Sequence, residues 1–482
     1  MENVKDIQLL EKVDNNVSND SETIETNNKV RKADSQNDTK KNKRSRTENE
    51  PRVPRLDENG NPIPVSERRP KKKVACMIGY CGTGYNGLQI QNLPGVKTIE
   101  NDVFQAFIKA GAVSPENADD LKKNGFMRAA RTDKGVHAAG NVLSCKLIIE
   151  DEDILEKINS HLPDQVRVWG IERTNKSFDC RKMCSSRIYE YLLPTYSFLP
   201  PKPTSFLAEQ LAKEKALKPD FYKDDVEGEK WWEETFKLQE EIKQTNEFEG
   251  DEDKEDKINK LVRKLENERR RNYKVTKEKL ESFRSALKSY EGSHNFHNYT
   301  VGKSFKDSSS RRYMKYTTVS DPFVINGTEW VSIKIHGQSF MLHQIRKMIA
   351  MAAYIVRTGC PESRITETFS STKINIPKAP ALGLLLENPV YEGYNPMLEK
   401  FGYNKIDFTK YSKEMDEFKM KYIYDKIYDE ELKDNSFYGF FGFVDTLKTS
   451  ENENVFKFLN ASFSLGQIDK IKPGEIKFDN VD

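Results

Sequence analysis

The alternation of apolar and polar positions predicts an ordered region that begins near Val74. A continuous apolar run over 74–80 is typical of a buried strand. A helix is predicted from Thr98, which stands at an N-cap position, to a stop at Gly111. Strands are predicted next over 141–149, 166–171 and 186–193, and a short helix is predicted over 153–162, so this region contains both helices and strands.

A second block of strands and helices follows a highly charged stretch. Its helix over 341–357 places Leu342 on an apolar face and has Gly359 just past its end. A surface helix packed on the core is predicted over 405–432. Two related α/β halves are therefore expected. The remaining elements of this block are a helix over 277–290 and strands over 312–319 and 330–336.

Composition divides the chain into five segments. The first, 1–72, is too poor in large apolar residues to fold, so we expect a disordered tail. Its basic clusters at 40–46 and 68–73 are typical of nuclear localisation or nucleic-acid patches, with an ordinary charged tail as the alternative. The other segments are an N-terminal half over 73–203, a charged insertion over 204–274 that is partly helical and partly disordered, a C-terminal half over 275–447, and a loosely ordered tail over 448–482.

The charge distribution says more than the net charge of +2. Nine Lys or Arg and three Asp or Glu lie within 301–357, a local excess of six positive charges. Such a stretch is either an electrostatic footprint for phosphates or a solvated face. No apolar run is long enough for a membrane helix, and the acidic first residues predict neither a secretory signal nor a mitochondrial leader. The six scattered cysteines favour reduced thiols.

Residues 82–87 match the pattern G-x-G-x-x-G directly after a strand, and Asp102 lies 20 residues beyond Gly82. These are features of a dinucleotide-binding loop, which would make the chain an NAD-dependent oxidoreductase. That mechanism requires a helix to start at the loop and point its N-terminus at the pyrophosphate. The alternating residues 88–93 and the turn signal after them favour a different structure, so we disfavour this interpretation.

The segment 128–140 carries the most informative chemistry. It reads Arg-Ala-Ala-Arg-Thr-Asp-Lys-Gly-Val-His-Ala-Ala-Gly and places Asp133 among several positive side chains. A nucleophilic carboxylate must be ionised, and such neighbours favour the ionised form. An Asp that merely stabilises a Thr-Asp-Lys-Gly turn is the alternative from the residues alone.

Four segments in order resemble the motifs of the TruA-type tRNA pseudouridine synthases. Segment 128–140 is similar to the signature loop, with Ala130 where Gly is usual. Segment 79–89 resembles the first loop of the family, with Leu88 where Trp is common. The other two are similar to the strand that holds the active-site tyrosine and to the helix that holds an arginine, at 186–191 and 340–346. Together these motifs cover 74–200 and 275–395. The insertion, the basic clusters and the segment 294–298 resemble the eukaryotic nuclear branch, which modifies several tRNA positions.

The resemblance implies an α+β pseudouridine synthase fold, in which two α/β halves share a mixed or antiparallel sheet around a central RNA-binding cleft. It implies that Asp133 is the nucleophile, at either C1′ of the sugar or C6 of the base. Tyr189 then stacks on the uracil and moves a proton, and Arg346 pairs with Asp133. Arg131 fills the gap left by the flipped base. The candidate RNA-binding residues are Arg131, Arg181, Lys303, Arg311 and Arg312.

No cofactor or metal is implied. His294 and His297 have a spacing that zinc ligands can use, but Cys360 is the nearest cysteine and closely paired ligands are lacking. The expected partner is tRNA, with small nuclear RNA and mRNA as further candidates in the nucleus. The insertion favours a monomer over the dimer of bacterial relatives. An inactive RNA-binding protein or tRNA chaperone on the same fold is the alternative function.

Overall fold

The computed structural model describes residues 69–91, 93, 95–245, 248–249, 251–447 and 459–460. The predicted tails over 1–72 and 448–482 lie outside these residues, apart from 69–72 and 459–460, and the basic cluster at 40–46 lies outside them entirely. Part of the second cluster belongs to the fold instead of to a tail. Lys72 begins the first strand, and Arg69 Nη2 lies 2.5 Å from Asp151 Oδ1.

One sheet of ten strands organises the described part of the chain. The strands are β1 (Lys72–Tyr80), β2 (Met127–Arg128), β3 (His137–Leu147), β4 (Val166–Arg173), β5 (Ser186–Pro194), β6 (Gly292–Asn295), β7 (Arg311–Val319), β8 (Phe323–Ile325), β9 (Thr328–Gly337) and β10 (Leu384–Val390). Their order is β4-β1-β3-β10-β5-β9-β7-β6, with β2 added to β3 and β8 to β9. The β10–β3 pair is parallel and the other pairs are antiparallel. The expected α+β class with a joined mixed sheet is confirmed.

Helices cover both faces of this sheet. They are α1 (Ile99–Lys109), α2 (Ile154–Ser160), α3 (Phe206–Leu217), α4 (Val226–Lys243), α5 (Lys254–Arg271), α6 (Lys277–Lys288), α7 (Gln344–Thr358), α8 (Ser363–Glu367), α9 (Asn395–Lys400), α10 (Ser412–Phe418), α11 (Asp425–Asp434) and α12 (Ser436–Thr446). The charged insertion contains α3, α4 and α5. A π-helical segment, Lys419–Tyr424, joins α10 to α11.

The apolar run that predicted β1 reflects burial on both of its faces. Val74, Cys76 and Ile78 pack with residues of α1, while Ala75 and Met77 point to the opposite core. The C-terminal helices cover that opposite face, where the rings of Trp169 and Phe418 meet edge to face at 5.3 Å. Because successive side chains of a strand alternate in direction, a strand covered twice must be apolar throughout.

The start of α7 differs from the prediction. The helix begins at Gln344 rather than near 341, and Leu342 is 57% exposed instead of lying on the apolar face. His343 precedes the helix with φ of 62°, a left-handed conformation that an α-helix cannot contain. The turn therefore presents Leu342 to solvent beside the helix N-terminus.

Two elements that the sequence pattern missed complete the architecture. The strand β10 is short and contains Pro389, which is a poor signal for a strand inside a sheet. It nevertheless pairs with β3 on one side and β5 on the other. The helix α12 lies in the C-terminal half, where the sequence pattern predicts no separate helix for these residues. Its Phe437 packs against Tyr191, with the ring centroids 6.2 Å apart.

The C-terminal segment fixes its place on the sheet with a buried charge cluster. Lys419, only 5% exposed, lies 3.1 Å from Glu387, 3.0 Å from Asp416 and 3.8 Å from Glu190. Burial raises the pKa of Glu190, whereas Lys419 and Lys334 overcome the effect of burial and lower the pKa of Glu387. The lysine is thus the cation that lets two carboxylates remain behind the sheet.

Replacing this lysine should destabilise the fold strongly. Lys419→Met keeps the apolar stem but leaves the buried Glu190 without its cation, while Glu387 keeps its ion pair with Lys334. Breaking a buried ion pair in this way costs about 3–5 kcal/mol of unfolding free energy. Urea unfolding at neutral pH measures the loss. Lys421→Met is the matched control, because Lys421 lies exposed on the same π-helical segment and should change little. Equal stability of the two variants would contradict the role assigned to the cluster.

Candidate active site

Asp133 stands at a tight turn that leads into β3. The backbone N–H of Val136 donates to the carbonyl of Asp133 at 3.1 Å, and Gly135 takes a φ of 76° that suits glycine. Arg131 and Asp133 are exposed, whereas Thr132 between them is buried. The turn expected as the alternative is therefore present, and it presents the carboxylate of Asp133 to solvent.

Buried hydrogen bonds hold this loop from below. The hydroxyls of Thr132 and Tyr80 lie 2.8 Å apart, and Asn141 Nδ2 donates to the carbonyl of Ala130 at 3.0 Å. The side chain of Arg187 on β5 reaches across and donates to the carbonyl of Ala129 at 2.8 Å. Since each partner belongs to a strand, the position of the turn is set before any substrate arrives.

The glycine-rich loop packs on the Asp133 turn instead of opening a helix. A Cβ at Gly82 would lie 2.3 Å from the carbonyl oxygen of Val136, and one at Gly87 would lie 2.8 Å from that of Thr132. Asp102, the acid of the dinucleotide pattern, accepts a hydrogen bond from the hydroxyl of Tyr85 at 2.7 Å. The next helix, α1, starts only at Ile99. These glycines serve the close approach of two backbones, so the dinucleotide interpretation fails.

Thr98 precedes α1 as predicted, but its hydroxyl makes no capping bond. The neighbouring acid has the structural role instead. Glu100 is fully buried, accepts from the N–H of Ile90 at 2.9 Å and pairs with Arg128. This ion pair ties the segment after the glycine loop to the strand that precedes the Asp133 turn.

Tyr189 lies on β5 and faces the same side of the sheet as Arg187 and Tyr191, because side chains alternate along a strand. Tyr189 is half-buried, and its ring meets that of Phe340 edge to face at 5.1 Å. Burial raises the pKa of Tyr189, although the charge of Arg187 acts in the opposite direction, so the phenol stays protonated at neutral pH. Tyr191 is a core residue, with its hydroxyl donating to the carbonyl of Pro380.

Arg346 lies in the first turn of α7. Its Nε donates to the carbonyl of Ala379 at 2.5 Å, and the N–H of Ala379 donates back to the carbonyl of Arg346 at 3.2 Å. The adjacent Lys347 is buried and donates to the carbonyls of Asn298 and Thr300 at 3.2 and 3.3 Å. Burial, followed by two neighbouring lysines, lowers the pKa of Lys347 to about 8. The basic excess of 301–357 therefore includes buried cations, which charge counting alone does not reveal.

The candidate RNA-binding residues are more widely spread. Arg311 and Arg312 begin β7, which β9 separates from β5, and Lys303 lies in the preceding loop. Arg181 is exposed in the turn before β5. The strand order leaves only β10 between β3, which follows the Asp133 turn, and β5, which carries Tyr189, whereas Arg311 and Arg312 lie two strands from β5 on its other side. Two exposed aromatic residues, Tyr313 and Tyr316, also lie on β7, and the register places them on the face of the sheet opposite Tyr189.

A cavity of about 530 Å³ adjoins the Asp133 turn. Its walls come from the glycine-rich loop and from the turn, with Ala381, Leu382 and Glu430 opposite. Asp133, Tyr189 and Arg346 are not among the residues that line it. The walls unite elements that are distant in the sequence, as a cleft between two halves requires.

His294 and His297 have aromatic neighbours. His294 stacks on Phe369 with centroids 4.3 Å apart, and His297 meets Phe305 edge to face at 5.4 Å. Among the residues described above, no group of three or more His, Cys, Asp or Glu is arranged to hold a metal ion. The described helices are also too short or too polar to cross a membrane.

His137, which the sequence showed only as part of a motif, joins the two loops. It is 4% exposed, and its Nδ1 accepts the N–H of Gly82 at 3.1 Å, so its ring must carry the proton on Nε2. Burial, with a smaller contribution from Lys426, lowers the pKa of His137 from 6.5 to about 4. The neutral ring is therefore part of the folded structure.

Acid should weaken the fold through this histidine. Between pH 6.5 and about 4 the unfolded chain binds a proton that the folded chain excludes, so stability falls as pH falls. His137→Asn offers an oxygen acceptor in place of Nδ1 and removes the titration. The slope of unfolding free energy should then become shallower by about 1.4 kcal/mol per pH unit in this window.

Urea unfolding at several pH values measures both slopes. His161→Asn is the control, because His161 is exposed and its replacement should preserve the slope of the parent. An unchanged slope in His137→Asn would show that the ring is not held neutral.

Sequence comparisons with known proteins lead to the same family as the four motifs. Residues 286–392 match the model of a family described as tRNA pseudouridine synthase. A Candida albicans protein named tRNA pseudouridine synthase 1 is 58% identical over 445 residues, which cover 86% of this chain and 73% of the relative. A Saccharomyces cerevisiae protein of the same name is 53% identical over 436 residues, with 87% and 80% covered.

A more distant relative has the same type of activity in its name. The Saccharomyces cerevisiae protein named tRNA pseudouridine(27/28) synthase is 40% identical over 343 residues, covering 68% of this chain and 87% of the relative. The chain belongs to the tRNA pseudouridine synthase family.

Proposed function

We propose that this tRNA pseudouridine synthase uses Asp133 as its nucleophile. The observation that carries the proposal is the exposure of this carboxylate at a turn that strands hold firmly. Only β10 separates β3, which follows the turn, from β5, which carries the half-buried Tyr189. A carboxylate nucleophile needs solvent-side access for the substrate and fixed geometry for attack.

The reaction begins with removal of a uridine from its stack, at a cost of a few kcal/mol. Asp133 then attacks C1′ of the sugar or C6 of the base. The N1–C1′ bond breaks, the uracil turns and C5 bonds to C1′. The bond between Asp133 and the nucleotide breaks, which restores the carboxylate, and a proton leaves C5 while N1 gains one. The isomerisation conserves all atoms of the nucleotide, so the protein needs to supply only positioning, a nucleophile and proton transfer.

Tyr189 is proposed to stack on the uracil. Phe340 holds its ring edge to face, and the protonated phenol can exchange a proton with the base. Arg346 is proposed to pair with Asp133 from the N-terminal turn of α7, where the hydrogen bond to Ala379 orients its guanidinium. Arg131, exposed two residues before the nucleophile, is proposed to fill the space that the flipped base leaves.

The bound RNA is proposed to lie along the basic residues around the cleft. Arg181, Lys303, Arg311 and Arg312 would contact phosphates, which position an RNA without specifying its sequence.

The cellular location, the further RNA substrates and the oligomeric state are proposals as well. Nuclear localisation rests on the basic clusters, and small nuclear RNA and mRNA are proposed as further substrates on the resemblance to the nuclear branch. A monomer is proposed because of the insertion over 204–274. Light scattering of the purified chain would test the monomer, and fluorescence of a tagged chain would test the location.

Asp133→Asn should abolish pseudouridine formation in unmodified tRNA transcripts. The rate should fall by at least about 10³-fold, because the amide is not a nucleophile, while tRNA affinity stays because phosphate contacts dominate it. Asp220→Asn, an exposed change on the insertion, is the control and should retain full activity.

Two outcomes would contradict the proposal. If Asp133→Asn remains active, another carboxylate attacks the nucleotide. If the parent chain binds every transcript tested and forms no pseudouridine, it is an RNA-binding protein on this fold.

Removal of single charges along the cleft should weaken tRNA binding in a salt-dependent way. Lys303→Ala or Arg311→Ala each removes one phosphate contact, so the slope of log affinity against log salt should become shallower by about 0.7–0.9. Filter binding at several salt concentrations measures this slope. Lys213→Ala, exposed on α3, is the control, and an effect of equal size there would indicate a non-specific loss of charge.

A further inference from the structure

A second cavity, of about 350 Å³, lies between the insertion and the C-terminal helix α12. Aromatic side chains form much of its wall, among them Tyr196, Trp232, Tyr438 and Phe441. None of the residues proposed for catalysis or RNA binding lines it. The cavity is also far from Arg346. Arg357, which lines the cavity, lies on the same helix α7 eleven residues after Arg346, which is about 16 Å along the helix axis.

Buried guanidinium groups face this apolar space. Arg270 lines the cavity with 2% exposure, and its Nε and Nη1 have no hydrogen-bond partner in the described part of the chain. It stacks flat on Tyr438, with its guanidinium carbon 3.3 Å from the ring centroid. The Nε of Arg357, which is 6% exposed, is likewise without a partner there.

The acids near the cavity are already engaged. Lys202 pairs with Glu266 at 2.8 Å, and Arg357 pairs with Asp445. Glu266 and Glu431 act electrostatically on Arg270, and its Nη2 donates to Asn267 Oδ1 at 2.5 Å. Its Nε and Nη1 remain without a partner in the described part of the chain, which is costly for a buried group, and an anion in the cavity would satisfy these donors.

Helix α12 keeps the space open. Gly439 and Gly442 are three residues apart and both line the cavity. A Cβ at either position would meet no atom within 4 Å. Glycine destabilises a helix relative to alanine. The two glycines on this face of α12 therefore cost stability while they leave room in the cavity, and the packing of the protein alone does not require glycine at either position.

We propose that this cavity binds a small amphipathic anion, with a planar aromatic body and one carboxylate or phosphate. The aromatic walls receive the body, and Arg270 with Arg357 receives the charge. The volume matches that of small-molecule sites. This binding is independent of the proposed catalytic function, so failure of either leaves the other standing.

Calorimetric titration of the full chain with 2-naphthoate tests the proposal, with 2-naphthalenemethanol as a neutral probe of the same shape. We expect saturable binding of one naphthoate per chain, a rise in the melting temperature, and affinity for the alcohol at least tenfold weaker. No saturable binding of naphthoate at millimolar concentration, or equal affinity for acid and alcohol, would overturn the proposal.

Two variants locate the site. Gly442→Phe fills the cavity and Arg270→Met removes the cation, and each should weaken naphthoate binding at least tenfold. Gly442→Ala is the control for the helix change, and it should keep the binding while raising the melting temperature slightly. Circular dichroism checks that each variant is folded. Full binding in both Gly442→Phe and Arg270→Met would place the naphthoate elsewhere and refute the assignment.

Discussion

The pairing of β10 between β3 and β5 is the constraint on which the active site depends. Leu386 of this strand is opposite Ala138 on one side and Tyr189 on the other. β3, which begins just after the Asp133 turn, and β5, which carries Tyr189, are two strand spacings apart, about 10 Å between backbones. Side chains can meet across that distance on one face of a sheet. A strand from late in the sequence therefore unites two residues from early in it.

The buried charge cluster around Lys419 determines which residues of β5 face the cleft and which face the opposite core. Tyr189 points to the cleft, and Glu190 points to the opposite core, where it approaches Lys419 and accepts a hydrogen bond from Tyr424. A slip of one residue would exchange the two, placing a carboxylate in the cleft and a phenol beside the buried lysine. The C-terminal segment thus helps to set the face that Tyr189 presents, in addition to placing Glu430 at the cavity beside the Asp133 turn.

The motifs owe their form to packing as much as to chemistry. Gly82 and Gly87 are required where two backbones touch, and His137 and Thr132 anchor the turn beneath. The resulting pattern is the same in letters as a dinucleotide-binding loop, because both need glycine where a backbone approaches another group closely. The two patterns differ in the element that follows. Here the helix α1 begins only at Ile99, whereas a dinucleotide-binding loop leads directly into a helix.

The sequence by itself determined the main strands and helices, because their apolar periodicity reports which faces are buried, and it determined Asp133, Tyr189 and Arg346 as candidates through local motifs. It did not reveal β10, whose signal is short and interrupted by proline, nor the exposure of Leu342, which follows from the conformation of His343. The neutral His137, the buried Lys347 and the unmatched Arg270 also needed the tertiary structure. Burial and partners of a polar side chain depend on segments far away in the chain, and a local pattern carries no information about them.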